Sequence, residues 1–185
     1  MNIQHSSASN LWYTPPHIIQ MVRMVLGDIE LDPASDEVAN EIVQANNIFT
    51  EEDDGLLQDW DTEGSIFLNA PGGRLGNKSL SIEFWKKLMV SEFSHAIYMG
   101  FSVEHLATSQ HKGCKSMLEF PFCIPAKRIR FVSPLGNKSA PSHSNVIVYV
   151  PGAIDATRKF KEVFTGLGGV VNTDQILNDN IVKDK

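Results

Sequence analysis

Short apolar runs alternate with amphipathic stretches along this chain, and that rhythm predicts most of its elements. Pro15 and Pro16 open a stretch in which Ile18, Ile19, Val22, Val25 and Leu26 share one helical face, and Gly27 stops it. Ile29–Leu31 reads as a short strand running into Asp32-Pro33. Asp36 then reads as the N-cap of a helix through Val38, Ile42 and Val43. Ser65–Asn69 has the pattern of a buried strand ending on an amide. A helix over Ser81–Phe93 and a buried strand over Ala96–Phe101 follow. Phe120–Ile124, Ile129–Val132 and Asn145–Val150 are strand-like, Ala153–Phe164 is helical and Gly168–Asn172 reads as a last strand. Strands apolar on both faces, alternating with helices, predict a three-layer α/β sandwich whose mixed sheet is mostly parallel, with antiparallel strands late in the chain. No linker divides it, so one domain over 12–172 is expected between a loose arm at 1–11 and a polar tail at 173–185.

Composition narrows the class. With 185 residues, 42% hydrophobic and 21% charged, the chain has the make-up of one globular domain that needs no disulfide or metal to close its core. It has neither an apolar run of about 18 residues nor a charged-then-apolar leader, so no membrane span or secretory signal is expected. Cys114 and Cys123 fit no zinc or redox spacing, which predicts a reducing cytoplasm. The six histidines form no i,i+4 pair and have no cysteine at ligand spacing, so no metal is expected.

The net charge of −6 argues at first against a nucleic-acid partner. Its distribution changes that picture. Residues 1–64 hold one basic side chain, Arg23, and thirteen acidic ones; residues 65–185 hold fifteen basic and nine acidic ones. Lys112, Lys115, Lys127, Arg128, Arg130 and Lys138 cluster against Glu119 alone. A solvated loop and edge strand would look this way, and so would a localised phosphate site.

Two strand ends carry candidate chemistry, because ligands of open α/β sheets bind beyond the carboxyl ends of the strands. At Asp32-Pro33-Ala34-Ser35, the carboxylate could face a cationic ligand group while free N–H groups of the next helix face an anionic one, as a zwitterionic amino-acid moiety requires. At Asn69-Ala70-Pro71-Gly72, the Asn69 side-chain oxygen and the Ala70 carbonyl could accept both hydrogens of an exocyclic amine. That would free its lone pair for nucleophilic attack. Ordinary turn chemistry is the alternative at both places. The loop Gly72–Ser79 has the placement of a phosphate-binding loop, but Asn77 stands where that motif needs its second glycine. Leu-Gly-Asn-Lys-Ser at 75–79 recurs at 135–139, and turn chemistry accounts for both copies.

Taken in order, Trp12-x-Thr14-Pro15, Leu31-Asp32-Pro33-Ala34-Ser35, Ala39-Asn40, Asp54-Gly55-Leu56, Trp60, Phe67-Leu68-Asn69-Ala70-Pro71, Arg128-Ile129-Arg130-Phe131 and Pro141-Ser142-His143-Ser144-Asn145 resemble the phage-type DNA N6-adenine methyltransferases, the Dam-like family. The resemblance spans about residues 12–150. It implies a Rossmann-like methyltransferase fold that uses S-adenosylmethionine to methylate adenine in DNA, in a phage or prophage protein of the bacterial cytoplasm that protects phage DNA from restriction. It places the cofactor near Trp12, Thr14, Pro15, Asp32, Pro33, Ala34, Ser35 and Asp54, and makes Asn69, Ala70, Pro71 and Gly72 the catalytic tetrapeptide. Arg74, Lys78, Lys127, Arg128, Arg130, His143 and Asn145 are then the DNA-binding candidates. The family pattern at the tetrapeptide is Asp/Asn-Pro-Pro-aromatic; here Ala70 replaces the first proline and Gly72 the aromatic. Trp12, Tyr13, Trp85 and Phe101 are the rings that could compensate. The alternative is an inactive relative that binds DNA or cofactor or counters restriction, a reading that Gly72 keeps open.

Overall fold

The computed structural model describes residues 12–110, 113–132, 138–139 and 143–171. The arm at 1–11, the tail at 173–185, Lys112 and the first three residues of the second Leu-Gly-Asn-Lys-Ser copy lie outside them. The elements, in chain order, are α1 (Pro16–Leu26), β1 (Leu31–Asp32), α2 (Glu37–Val43), β2 (Asn47–Ile48), β3 (Ser65–Asn69), β4 (Arg74–Leu75), β5 (Lys78–Ser79), α3 (Leu80–Leu88), β6 (His95–Gly100), α4 (His105–Thr108), a 3-10 turn (Met117–Glu119), β7 (Phe122–Pro125), β8 (Phe131–Val132), β9 (Lys138–Ser139), β10 (Val146–Pro151), α5 (Thr157–Phe164) and β11 (Gly168–Val171).

Seven strands form one sheet in the order β11-β7-β10-β6-β3-β1-β2. The pairs β2–β1, β1–β3 and β3–β6 are parallel, while β6–β10, β10–β7 and β7–β11 are antiparallel. The expected mixed sheet is therefore present, with its antiparallel strands late in the chain. Side-chain alternation along the central strands divides the interior into two layers. Phe67, Ile97, Met99, Ile147 and Tyr149 pack with α1 and α5, whereas Ile66, Leu68, Ala96, Tyr98, Val146 and Val148 pack with α3 and Trp60. An apolar face on each side of the sheet makes a three-layer sandwich the way to bury both.

Helix starts and stops follow local chemistry. Pro16 occupies the first position of α1, where its missing N–H costs nothing, and Gly27 leaves the helix at φ 73°. The Asp36 carboxylate accepts from the Ala39 N–H at 2.8 Å and caps α2. Two predicted helices are shorter than their periodicity suggests: α3 ends at Leu88 and α5 begins only at Thr157. For α5 the cause is tertiary. Residues 152–156 are drawn onto the sheet edge instead, with Ile154 N–H bonded to the Ser94 carbonyl at 2.7 Å and Ala156 N–H to the Tyr149 hydroxyl at 2.6 Å.

Both copies of Leu-Gly-Asn-Lys-Ser end as a return strand. Lys78-Ser79 pairs with Leu75 and Arg74, and Lys138-Ser139 pairs with Val132 and Phe131. In the first copy Gly76 opens the two-residue link at φ 61°, where glycine has no steric penalty. The Gly72–Ser79 segment is thus largely an antiparallel hairpin and not a phosphate cradle.

Candidate active site at the carboxyl edge of the sheet

Parallel pairing places Asp32, Asn69 and Gly100 at one edge, the last residues of β1, β3 and β6. From β1 the chain moves outward to β2 and then returns to β3 on the other side of β1. In open α/β sheets such a reversal leaves a crevice at the strand ends, the usual ligand position, and here it falls between Asp32 and Asn69. The start of β10 and the end of β7 reach the same edge, which brings Asn145 and the 127–130 segment beside it.

The Asp32 loop is held from outside. Phe49 N–H bonds to the Asp32 carbonyl at 3.1 Å, and Ser35 N–H to the Phe49 carbonyl at 3.0 Å. Gly55 packs directly on Pro33: a Cβ there would lie 2.2 Å from the Pro33 carbonyl oxygen. Asp54, before it, is exposed at φ 52°. Asp32 is only 2% exposed, and among the described residues its carboxylate accepts from the Ala34 N–H at 3.3 Å. Burial is the main cause pushing its pKa up to about 7, and Asp36 adds to it. The Ala34 N–H bond and the nearby Ser35 side chain act in the opposite direction. Thr14 and Ser35 each bury a hydroxyl oxygen with no hydrogen-bond partner in acceptable geometry among the described residues. Two buried hydroxyls without a partner and a carboxyl without a cation among the described residues, all from the expected cofactor segments, have the donor and acceptor character that fits a zwitterionic amino-acid group.

Asn69 ends β3 at this edge. Its Nδ2 donates to the Trp12 carbonyl at 3.1 Å, which fixes the amide so that Oδ1 remains an acceptor with no partner among the described residues. The Trp12–Thr14 segment is itself a strap. Tyr13 exchanges two backbone hydrogen bonds with Val132, at 2.9 and 3.1 Å, and Pro15 leads directly into α1. Ala70 is buried, and its N–H bonds to the Met99 carbonyl at 3.2 Å. The Ser81 hydroxyl donates to the Pro71 carbonyl at 2.9 Å and lies 3.5 Å from that of Ala70. Sequence reading missed Ser81. Its signal is a serine on the apolar side of a helix directly after the loop, where it is fully buried.

The basic candidates ring the same edge. Arg74 and Lys78 are exposed on the β4–β5 hairpin, which springs from the Asn69 loop; Lys127, Arg128 and Arg130 are exposed beyond β7. Asn145 is placed differently. It is 1% exposed, its Oδ1 accepts from the Ile129 N–H at 3.2 Å and its Nδ2 donates to the Gly100 carbonyl at 3.3 Å, so it ties the Arg128–Arg130 segment to the end of β6. His143 is exposed, with its ring 6.4 Å from that of Phe101. The segment 107–118 contains the end of α4 and the start of the 3-10 turn, and its residues 111–112 lie outside the described ones.

Of the four compensating rings, Trp85 is wholly buried against Tyr98 and Phe120, and Tyr13 is buried with Asp36 beside its phenol, which burial first of all pushes up to about 12. Trp12 is 39% exposed and Phe101 half-buried.

Among the described residues, no group of His, Cys, Asp or Glu is placed to hold a metal ion, and no helix is long and apolar enough to cross a membrane. Sheet order, with its reversal at the carboxyl ends of β1 and β3, and helices on both faces define a Rossmann-like α/β methyltransferase fold. The family model for DNA N-6-adenine-methyltransferases (Dam) matches residues 3–179, and the chain belongs to that family. No curated protein matches it in sequence comparison.

Proposed function

We propose that this protein transfers a methyl group from S-adenosylmethionine to the N6 amine of adenine in DNA; in a phage or prophage setting this modification shields the DNA from restriction. The observation that supports the reading is the Asn69 amide, whose Nδ2 donates to the Trp12 carbonyl and so leaves Oδ1 as an acceptor at the end of β3, next in the chain to Ala70. S-adenosylmethionine supplies an activated methyl group on a sulfonium, so the protein's contribution is mostly position. Asp32 would pair with the amino group of the methionine moiety, and the Thr14 and Ser35 hydroxyls would bond its polar atoms. The segment from Trp12 to Pro15 and the residues Pro33 and Ala34 would wall the pocket, with Asp54 at its rim.

Across the crevice, Asn69 Oδ1 and the Ala70 carbonyl would accept the two N6 hydrogens and turn the nitrogen lone pair toward the methyl donor. Transfer of the methyl group from the sulfonium to this nitrogen would leave a neutral thioether, and the amine would give up its extra proton to solvent. Ser81 holds the loop through Pro71. The target base must leave the duplex to reach the pocket. Arg74, Lys78, Lys127, Arg128, Arg130 and His143 would meet the phosphates, and Asn145 contributes by positioning the basic segment.

The test is tritium transfer from labelled S-adenosylmethionine to unmethylated DNA. Wild type is expected to incorporate label, and Asn69→Ala to lose it with cofactor affinity within a few-fold. No incorporation by folded, cofactor-binding wild type overturns the reading and leaves a non-catalytic binding role.

A further inference from the structure

Gly72 presents no side chain to the crevice, and its backbone lies outside the left-handed region, so glycine is not needed there for conformation. A Cβ built at Gly72 would lie 3.7 Å from Cε1 and 3.9 Å from Cδ1 of Phe101, at ordinary van der Waals distance. The Phe101 ring therefore borders the space that a side chain at position 72 would fill. It arrives from the neighbouring strand: Met99 pairs with Asn69 in the β3–β6 register, and Phe101 follows two residues later, just past the end of β6.

The ring is also held in place. It meets the His105 ring edge-on, with centroids 4.6 Å apart and planes at 83°. His105 is buried, and its Nδ1 lies 3.3 Å from the Tyr98 hydroxyl, which is also 3.3 Å from the Ser81 carbonyl. Gly100 makes room for this stack, since a Cβ there would lie 2.6 Å from His105 Nδ1. Phe101 and the Asn69–Gly72 loop thus rest on one shared support, Ser81.

A base taken out of the duplex needs hydrogen bonds to its edge and an aromatic or apolar face for its ring. We propose that Phe101 supplies that face, as a positioning residue that stacks on the target adenine and takes the place of a side chain at Gly72. This rests on the methyltransferase reading of the Asn69 crevice. Ring and amide then come from adjacent strands and not from one tetrapeptide.

The experiment compares methyl transfer to unmethylated DNA by wild type, Phe101→Leu, Phe101→Met, Phe101→Tyr, Phe101→Ala and Phe101→Ala combined with Gly72→Phe. Cofactor affinity is measured by calorimetry, and folding by thermal melting. Losing one base-stacking face corresponds to a fall of about 10- to 100-fold in kcat/KM for DNA in the Leu and Met variants. Cofactor Kd is expected to stay within threefold and the Tyr variant near wild type. Installing a ring at position 72 is expected to return at least tenfold of what Phe101→Ala loses. Leu and Met variants as active as wild type overturn the proposal. So does an equal loss in the Tyr variant with no rescue from position 72, because the ring would then serve packing alone. Absence of transfer by wild type is a separate outcome that overturns the methyltransferase reading and this proposal with it.

Discussion

Asn69 and Trp12 are joined across 57 positions of sequence by one hydrogen bond, from the Asn69 side-chain amide to the Trp12 carbonyl at 3.1 Å. The residue proposed to hold the amine therefore also anchors the strap over the pocket. Asn69→Ala removes that anchor as well as the acceptor. Trp60 and Trp85 are buried while Trp12 is 39% exposed, so collisional quenching of tryptophan fluorescence by acrylamide reports mainly on the strap. The quenching constant is expected to rise by about half or more in Asn69→Ala. An unchanged constant would show that the strap is held without Asn69.

Asp32 makes cofactor binding depend on pH. Its folded pKa is raised to about 7 from an unfolded value of 3.8, chiefly by burial, so the folded protein binds the extra proton between those values. Stability from this group is greatest below about pH 4, declines as pH rises to about 7 and is level above that. A cationic ligand group favours the carboxylate and displaces the proton. Affinity for S-adenosylmethionine is thus expected to fall up to tenfold per unit as pH drops below about 7, with proton uptake on release seen by calorimetry in buffers of different ionisation enthalpy. Asp32→Asn should remove this dependence, weaken cofactor binding and raise Tm at pH 8 by roughly 2–4 °C for each kcal/mol of relieved desolvation.

Gly55→Ala tests the close approach of two loops. The new Cβ would meet the Pro33 carbonyl oxygen, a backbone atom that cannot swing aside, so the loops must separate. A cost of about 1–3 kcal/mol is expected from the displacement, together with weaker cofactor binding. Gly73→Ala has open space around its Cβ but a φ of 101°, so its cost is backbone strain at the hairpin and cofactor affinity is expected to be unchanged. Thermal melts and calorimetry of the two variants separate these effects.

Neutralising Arg128 and Arg130 together is expected to weaken DNA binding whatever the sequence. The slope of log K against log salt should flatten by about 2, one for each phosphate no longer neutralised. An unchanged slope would take both residues off the DNA face. Asn145→Ala should lower affinity less and leave the slope near its wild-type value, because it loosens the segment without removing charge.

The sequence is most legible where one segment decides its own structure. Asp36 as a cap, Gly27 as a stop and Ser65–Asn69 as a buried strand all follow from neighbouring residues alone. Asp32 and Asn69 stand out because each is a polar group at the end of an apolar strand. The two-residue strand Asn47–Ile48 has no such signal, since it exists only through pairing with Leu31–Asp32. Ser81 and Asn145 are hard to read for a related reason. Serine on a helix and asparagine before a strand are ordinary residues, and their roles come from carbonyls and N–H groups that only the folded chain brings near. The start of α5 departs from its periodicity because residues 152–156 are claimed by the chain leading into β6 and by Tyr149 rather than by helical propensity.

The exchange of hydrogen bonds between Tyr13 and Val132 joins the first described residues to a segment that follows most of the central sheet in sequence. Closing a loop of that span costs entropy that few local interactions return, so it forms once the strands beneath it have already docked. The β3–β6–β10 ladder with its two apolar layers does not require the strap. The crevice is therefore among the last parts to assemble in folding and among the first to open in the native state. Amide hydrogens of Tyr13 and Val132 should exchange well before those of Phe67, Ile97 and Val148, and a ligand seated under the strap would slow the exchange of that early pair most.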